Sequence, residues 1–151
     1  MLVLAAPAAA QQEAIGIFSL WGAFRDPGRC YAIAQPQGRP RAEDGRAFAS
    51  LGWWPGRNVQ GQLHIRLSRA KRAGSAILLR IDDRTFQLIG GGADAWAPSP
   101  RADAEIAAAI RTGLEMSVET RSQQGGLIRD RYALRGAATA MDAAAIACAR
   151  R

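Results

Sequence analysis

Alternating apolar and polar residues through the middle of the chain predict β-strands. The clearest alternation covers residues 59–67, where apolar or small residues take every second position and polar ones, among them His64 and Arg66, take the rest. Successive side chains of a strand point to opposite faces, so this pattern predicts a strand with one buried and one wet face. Apolar runs bounded by turn residues predict seven more strands, at 18–24, 30–35, 47–54, 75–81, 85–89, 115–121 and 127–134.

Two later segments carry helix signals instead. Ser99 directly precedes Pro100, an arrangement that suits an N-cap followed by the first helical position. An apolar stripe at helical spacing follows at Ile106, Ile110 and Leu114. A second helix is predicted from Thr139 through the Ala-rich end of the chain.

The order of these elements predicts the fold class. Sequential strands with short turns, and no repeated strand–helix–strand unit, indicate a mainly β (α+β) fold. We expect a single antiparallel β-sandwich-like or open-barrel domain of about eight strands with two short helices, covering residues 11–151. The length of 151 residues fits one domain. No apolar run approaches the roughly 18 to 20 residues of a membrane-spanning helix.

The first ten residues differ in character from the rest of the chain. Residues 2–10 are apolar or small, and Ala8 and Ala10 give the small-x-small pattern that signal peptidase accepts. We therefore interpret residues 1–10 as the remnant of a signal peptide without its basic start. Gln11 would be the first mature residue, and the mature protein would be periplasmic or secreted.

The cysteine count agrees with an exported protein. The chain has two cysteines, Cys30 and Cys148, and an oxidising compartment would pair them in one disulfide. Two separate buried thiols are the alternative. Neither cysteine has a second one nearby, so a zinc site of the usual spacing is excluded, and no other metal-ligand motif or cofactor motif is present. The Gly90–Gly92 run lacks the immediate helix that a dinucleotide site needs.

The formal charge of +7 narrows the classes of partner. It would suit nucleic acid, but an exported protein meets anionic envelope surfaces or acidic proteins instead, so no nucleic acid is expected. The candidate contact for such a partner is a cationic patch at the turn after residues 59–67, formed by Arg66, Arg69, Lys71 and Arg72. Trp53 and Trp54 point to opposite faces of their strand, so one of them is a candidate aromatic contact.

Candidate catalytic groups are few. His64 is the only histidine, and Asp82 and Asp83 form an adjacent acidic pair in a predicted turn. No serine has the glycine pattern of a nucleophile elbow, and no metal-binding Asp or His series is present. We expect a surface histidine and turn aspartates, and no enzymatic activity.

Several short segments resemble, in order and spacing, the invasion associated locus B family of alphaproteobacterial secreted or periplasmic proteins. The matching segments are Trp21–Asp26, Arg29–Tyr31, Phe86–Leu88, Trp96, Arg111–Val118, Tyr132–Gly136 and Cys148. The resemblance implies an exported, mainly β protein without an established catalytic activity. The short leader, the near-absence of Lys and the basic segment at 66–72 depart from the family.

Three functions follow as hypotheses. The first is an exported, non-enzymatic domain that binds an envelope or protein partner. The second is a periplasmic hydrolase that uses His64 or the Asp82/Asp83 pair. The third is a basic nucleic-acid-binding protein, which only the charge favours.

Overall fold

Ten antiparallel β-strands and two α-helices form the part of the chain that the computed structural model describes, residues 12–149. The strands are β1 (Glu13–Phe18), β2 (Trp21–Asp26), β3 (Arg29–Ala34), β4 (Phe48–Trp54), β5 (Val59–Arg66), β6 (Ile77–Ile81), β7 (Arg84–Gly91), β8 (Asp94–Trp96), β9 (Glu115–Arg121) and β10 (Leu127–Ala133). The helices are α1 (Pro100–Thr112) and α2 (Ala137–Ala149). The mainly β prediction is confirmed, with ten strands where the sequence indicated about eight. The predicted leader, residues 1–10, lies outside the described residues.

The strands form one sheet that curls into a half-barrel, in the order β1-β2-β3-β4-β5-β8-β7-β6-β9-β10. Curling brings the last strand back towards the first ones. Trp21 Nε1 donates a hydrogen bond to the carbonyl oxygen of Ala133 (2.9 Å). The amide of Leu20 donates a second one to the carbonyl oxygen of Arg135 (3.4 Å). These bonds connect the β1–β2 turn and the start of β2 to the end of β10.

The core lies between the curled sheet and the two helices. Alternate residues of β5 point inward, and Leu63 and Ile65 are fully buried there with Ile106 of α1. Helix α2 packs across β1 to β5. Its inward side is lined by small residues such as Ala140 and Ala144, which allow the helix to approach the sheet closely. Neither helix of the described chain is long and apolar enough to cross a membrane.

The predicted disulfide is confirmed. Cys30 of β3 is bonded to Cys148 near the end of α2, across 118 positions of sequence. The bond fastens the last turn of the C-terminal helix to the sheet. Arg25 supports the same end, since its Nη2 donates a hydrogen bond to the carbonyl oxygen of Ala147.

The N-terminal part of the sheet differs from the sequence prediction. The single strand expected at 18–24 is wrong, because the chain reverses at Ser19 and Leu20 to form the β1–β2 hairpin. Ser19 makes this reversal in the left-handed region (φ 57°). No glycine or proline marks the turn, so the usual sequence signal is missing.

Two other local predictions need correction. The strand predicted at 85–89 extends two residues further, so that β7 ends at Gly91 within the glycine run, and the chain then turns into the short strand β8, which was not predicted. Gly90 is required in this hairpin, where a Cβ atom would lie 2.1 Å from the carbonyl oxygen of Asp94. Leu114 does not extend the apolar stripe of α1. It lies beyond the helix end at Thr112 and is 77% exposed.

Candidate ligand-binding groove

A groove of about 980 Å³ lies where the loop at residues 36–46 passes over β10 and the β5–β6 connection. Its charged lining is strongly unbalanced, with six arginines and only two aspartates. The arginines are Arg39, Arg41, Arg46, Arg69, Arg129 and Arg131, and the aspartates are Asp44 and Asp130. The excess of four positive charges makes the groove attractive to anions.

Backbone hydrogen bonds fix both ends of the loop that forms one wall. The amide of Gln37 donates a hydrogen bond to the carbonyl oxygen of Arg131 on β10 (2.7 Å). The amide of Gly45 donates one to the carbonyl oxygen of Ser68 (2.8 Å). Within the loop, the amide of Arg41 donates to Asp44 Oδ2 (2.7 Å). The wall therefore has a defined position over the strand although most of its residues are exposed.

The two aspartates of the groove are engaged by the protein itself. Asp130 is 7% exposed, and its Oδ2 accepts a hydrogen bond from the amide of Ser68 (2.9 Å). Asp44 Oδ1 lies 3.5 Å from Arg69 Nε, within ion-pair distance but without hydrogen-bond geometry. Arg69 is held from another side, since its Nη2 donates to the carbonyl oxygen of Leu127 (3.1 Å). Both carboxylates thus support the walls.

The other arginines of the groove fall into two groups. Arg129 is paired with Glu119, whose Oε1 accepts from Arg129 Nε at 2.9 Å. The remaining four have no carboxylate at ion-pair distance within residues 12–149: Arg39, Arg41, Arg46 and Arg131. Glu43 belongs to the same loop but does not line the groove. The groove therefore offers guanidinium groups that no carboxylate of residues 12–149 neutralises.

Buried polar atoms without a hydrogen-bond partner are few among the described residues. They occur in Asp44, Arg69, Thr120, Tyr132 and Arg29. Only Asp44 and Arg69 line the groove, and these two atoms face each other as the ion pair described above. Thr120 and Tyr132 are buried residues of β9 and β10 that do not line the groove.

The structure distributes the predicted cationic patch over different surroundings. Arg66 Nη1 is bonded to Asp94 Oδ2 at 2.7 Å, and Arg69 lines the groove. Lys71 is only 7% exposed, with its Nζ donating to the carbonyl oxygen of Arg72 (2.9 Å). Arg72 itself is exposed. The patch stays a prediction, and Arg69 is its member that belongs to the groove.

His64 lies in a half-buried aromatic cluster on the outer face of the sheet. Its Nε2 is 2.9 Å from Asp94 Oδ1, its ring stacks on Trp96 (centroids 5.2 Å apart), and Phe48 meets it edge-on. Burial alone would raise the pKa of Asp94, but the hydrogen bonds from His64 and Arg66 outweigh it and hold that pKa below its usual range.

A catalytic role for His64 would need a nucleophile on its other ring nitrogen. Strand pairing places Ser50 directly opposite His64. Within residues 12–149, however, the only side-chain hydrogen bond of His64 is the one to Asp94. Sequence reasoning could not find this carboxylate, because Asp94 lies 30 residues away on a strand that was not predicted.

The aspartate pair occupies the predicted turn between β6 and β7. The carboxylate of Asp82 accepts hydrogen bonds from the amides of Leu114 and Glu115 and so holds the start of β9. Asp83 is exposed. No cluster of three metal-ligating side chains occurs in the described part of the chain.

The two neighbouring tryptophans are both half-buried. Trp53 packs against the core. Trp54 lies over Gly52 on the outer face, where a Cβ atom would come within 2.6 Å of its ring, and the guanidinium of Arg29 lies 5.3 Å from the ring centroid. The proposed aromatic contact stays a prediction, with Trp54 lining a second, shallower hollow beside Cys148.

Comparisons with known proteins do not assign the groove. No protein-family model, no curated protein and no solved structure matches the chain. The sequence contains the signal that could have found the groove, namely three arginines in the loop at 36–46 and two at alternate positions of β10. Their meeting depends on the curl of the sheet, which the sequence does not reveal.

Proposed function

We propose that this protein is an exported, non-enzymatic domain that binds an anionic envelope or protein partner in the groove between the loop at 36–46 and β10. The observation that carries the proposal is the set of four guanidinium groups that line the groove without a carboxylate partner in the described chain. Such groups attract anions over long range and bind them by charge-assisted hydrogen bonds at contact.

Export is part of this proposal. The Cys30–Cys148 disulfide is consistent with an oxidising compartment, and the signal-like residues 1–10 and the resemblance to the invasion associated locus B family point to the periplasm or the medium. Intact-mass measurement of the protein from periplasmic and medium fractions tests it. A mass that begins at Gln11 and lacks two hydrogens is expected. An uncleaved protein with two alkylatable thiols would contradict export.

The absence of catalysis is proposed from the roles of the candidate groups. Asp82 binds backbone amides, and His64 is held by Asp94 between two aromatic rings. Assays with ester, glycoside and phosphate substrates test this part. Hydrolysis by the wild type that His64→Ala abolishes would overturn it.

Chromatography on immobilised heparin, a polyanion, tests the groove. The triple variant Arg39→Gln/Arg46→Gln/Arg131→Gln should elute at clearly lower salt than the wild type, because each lost contact to an anion reduces the salt dependence of binding. The matched control is Arg57→Gln/Arg84→Gln/Arg101→Gln, which removes the same charge outside the groove. Equal elution of both variants would show that net charge alone is responsible and would refute the groove.

A further inference from the structure

We infer that the groove binds a phosphate-bearing polar headgroup, with the phosphate held between the arginines of the loop at 36–46 and Arg131 of β10. This inference rests on the proposed function and adds the chemistry of the ligand. It depends on three features of the groove, namely the placement of its cations, its size and its fixed walls.

The cations come from two separate segments that line the same groove. Arg39, Arg41 and Arg46 belong to the loop, whereas Arg131 belongs to the strand. A terminal phosphate has three oxygens in tetrahedral directions, so it can accept hydrogen bonds from guanidinium groups of more than one segment. A carboxylate has two oxygens in one plane and suits a single guanidinium fork. Arginines from both the loop and the strand therefore favour phosphate.

The size of the groove indicates more than a free ion. A volume of about 980 Å³ lies at the upper end of the range for small-molecule sites, and one phosphate would fill only a small part of it. The lining also contains uncharged groups beside the arginines, among them Pro36, Pro40 and Leu127. These groups can contact the glycerol or sugar to which a phosphate is attached.

Hydrogen bonds within the protein hold the walls. The amide of Gln37 is bonded to β10 and that of Gly45 to Ser68, so both ends of the loop are fixed without help from a ligand. A fixed wall reduces the entropic cost of binding. Asp44 and Arg69 form an ion pair of 3.5 Å in the same lining, which further holds the loop in position.

Calorimetric titration of the disulfide-bonded protein tests the ligand class. The soluble probes are glycerol 3-phosphate, inorganic phosphate and succinate. We expect glycerol 3-phosphate to bind tightest, and Arg39→Gln/Arg131→Gln to weaken it by about tenfold or more, since each charge-assisted hydrogen bond is worth about that factor. The control Arg84→Gln/Arg101→Gln, which lies outside the groove, should bind like the wild type. Circular dichroism of each variant verifies that it is folded.

Vesicles distinguish the source of the phosphate. Binding to phosphatidylcholine vesicles that contain phosphatidic acid, but not to those with the carboxylate lipid cholesteryl hemisuccinate, would identify a lipid headgroup. Binding of the soluble phosphates alone would identify a free phosphate compound and would also support the inference. Succinate or an oligoglutamate peptide binding as tightly as glycerol 3-phosphate would overturn it. The proposed function would survive that result if the heparin experiment still separates groove and control variants.

Discussion

Asp103 is a buried carboxylate whose ionisation opposes folding. It lies in the first turn of α1, is 8% exposed, and its Oδ1 accepts a hydrogen bond from the amide of Leu63 (2.9 Å). Burial raises the pKa of Asp103, and the bond from Leu63 offsets this only in part. A folded-state pKa above the unfolded value means that the folded chain binds the proton more tightly. Its contribution to stability is therefore greatest at low pH and decreases as the pH rises through the folded pKa.

Asp103→Asn should raise the free energy of unfolding at pH 7, because the amide oxygen can still accept from Leu63 while no charge is buried. Urea unfolding at pH 4 and pH 7 checks this, and the gain should shrink at the lower pH. Asp83→Asn, at an exposed position, serves as control. A stability loss at pH 7 in Asp103→Asn would contradict the prediction and show that the ionised carboxylate stabilises α1.

The hydroxyl of Tyr132 is a second buried polar group that costs stability. Tyr132 is fully buried, and its hydroxyl has no hydrogen-bond partner within residues 12–149. Tyr132→Phe removes the unsatisfied group and should raise the free energy of unfolding by about 1 kcal/mol. Tyr31→Phe is the matched comparison, since the Tyr31 hydroxyl accepts a bond from Gln12 Nε2, and it should lower stability by about 1 kcal/mol. Equal effects of the two substitutions in thermal unfolding would contradict this account.

The sequence predicted single residues well where their roles are local. Ser99 accepts from the amide of Ala102 as an N-cap, and the Asp82 turn lies where expected. For His64 the strand pattern predicted the outer face, where the residue lies, but not its contacts. The contacts with Asp94 and Trp96 arise from the pairing of β5 with β8, and no local pattern encodes that pairing.

At the scale of elements, the β1–β2 turn is joined to the start of α2 by a close approach at Gly136. The residue has φ +90°, and a Cβ atom would lie 1.8 Å from the carbonyl oxygen of Phe18. Backbone conformation and space thus both require glycine here.

Gly136→Ala should therefore destabilise the protein by about 3 kcal/mol or more, of which about 1 kcal/mol comes from the positive φ and the rest from displaced backbone. Gly28→Ala separates the two causes, because Gly28 has φ +81° but open space around its Cβ position. Its expected cost is about 1 kcal/mol. Similar losses in guanidinium unfolding of the two variants would show that α2 and the hairpin do not meet so closely.

Strong period-2 patterns and helix caps gave the right elements, as for β5 and α1. The missed elements have weak signals. The β1–β2 hairpin turns without glycine or proline, and β8 is a strand of three residues after a glycine run. In both cases neighbouring strands stabilise a segment whose own sequence favours it little, as is common for β-structure.

At the scale of the whole molecule, the candidate groove illustrates what one sequence does not encode locally. Its walls come from the loop at 36–46, the Ser68–Arg69 connection and β10, which are far apart along the chain. The charge of +7 indicated an anionic partner, but the predicted patch at 66–72 shares only Arg69 with the groove. The curl of the ten-stranded sheet decides which cations meet, and it depends on packing over the entire core.

The Cys30–Cys148 bond acts on the stability of the whole domain. It closes a loop of 118 residues, for which the loss of chain entropy in the unfolded state corresponds to about 5 kcal/mol. The double variant Cys30→Ala/Cys148→Ala should therefore unfold with a free energy lower by about 3 to 5 kcal/mol, measured in urea at 25 °C. Because Cys30 lies at the end of β3 opposite the loop at 36–46, the folded variant should keep the wild-type elution salt on heparin. Reduction of the wild type should reproduce the loss of stability. A loss below about 1 kcal/mol would contradict the entropic account, and weaker heparin binding by the folded variant would show that the bond also shapes the groove.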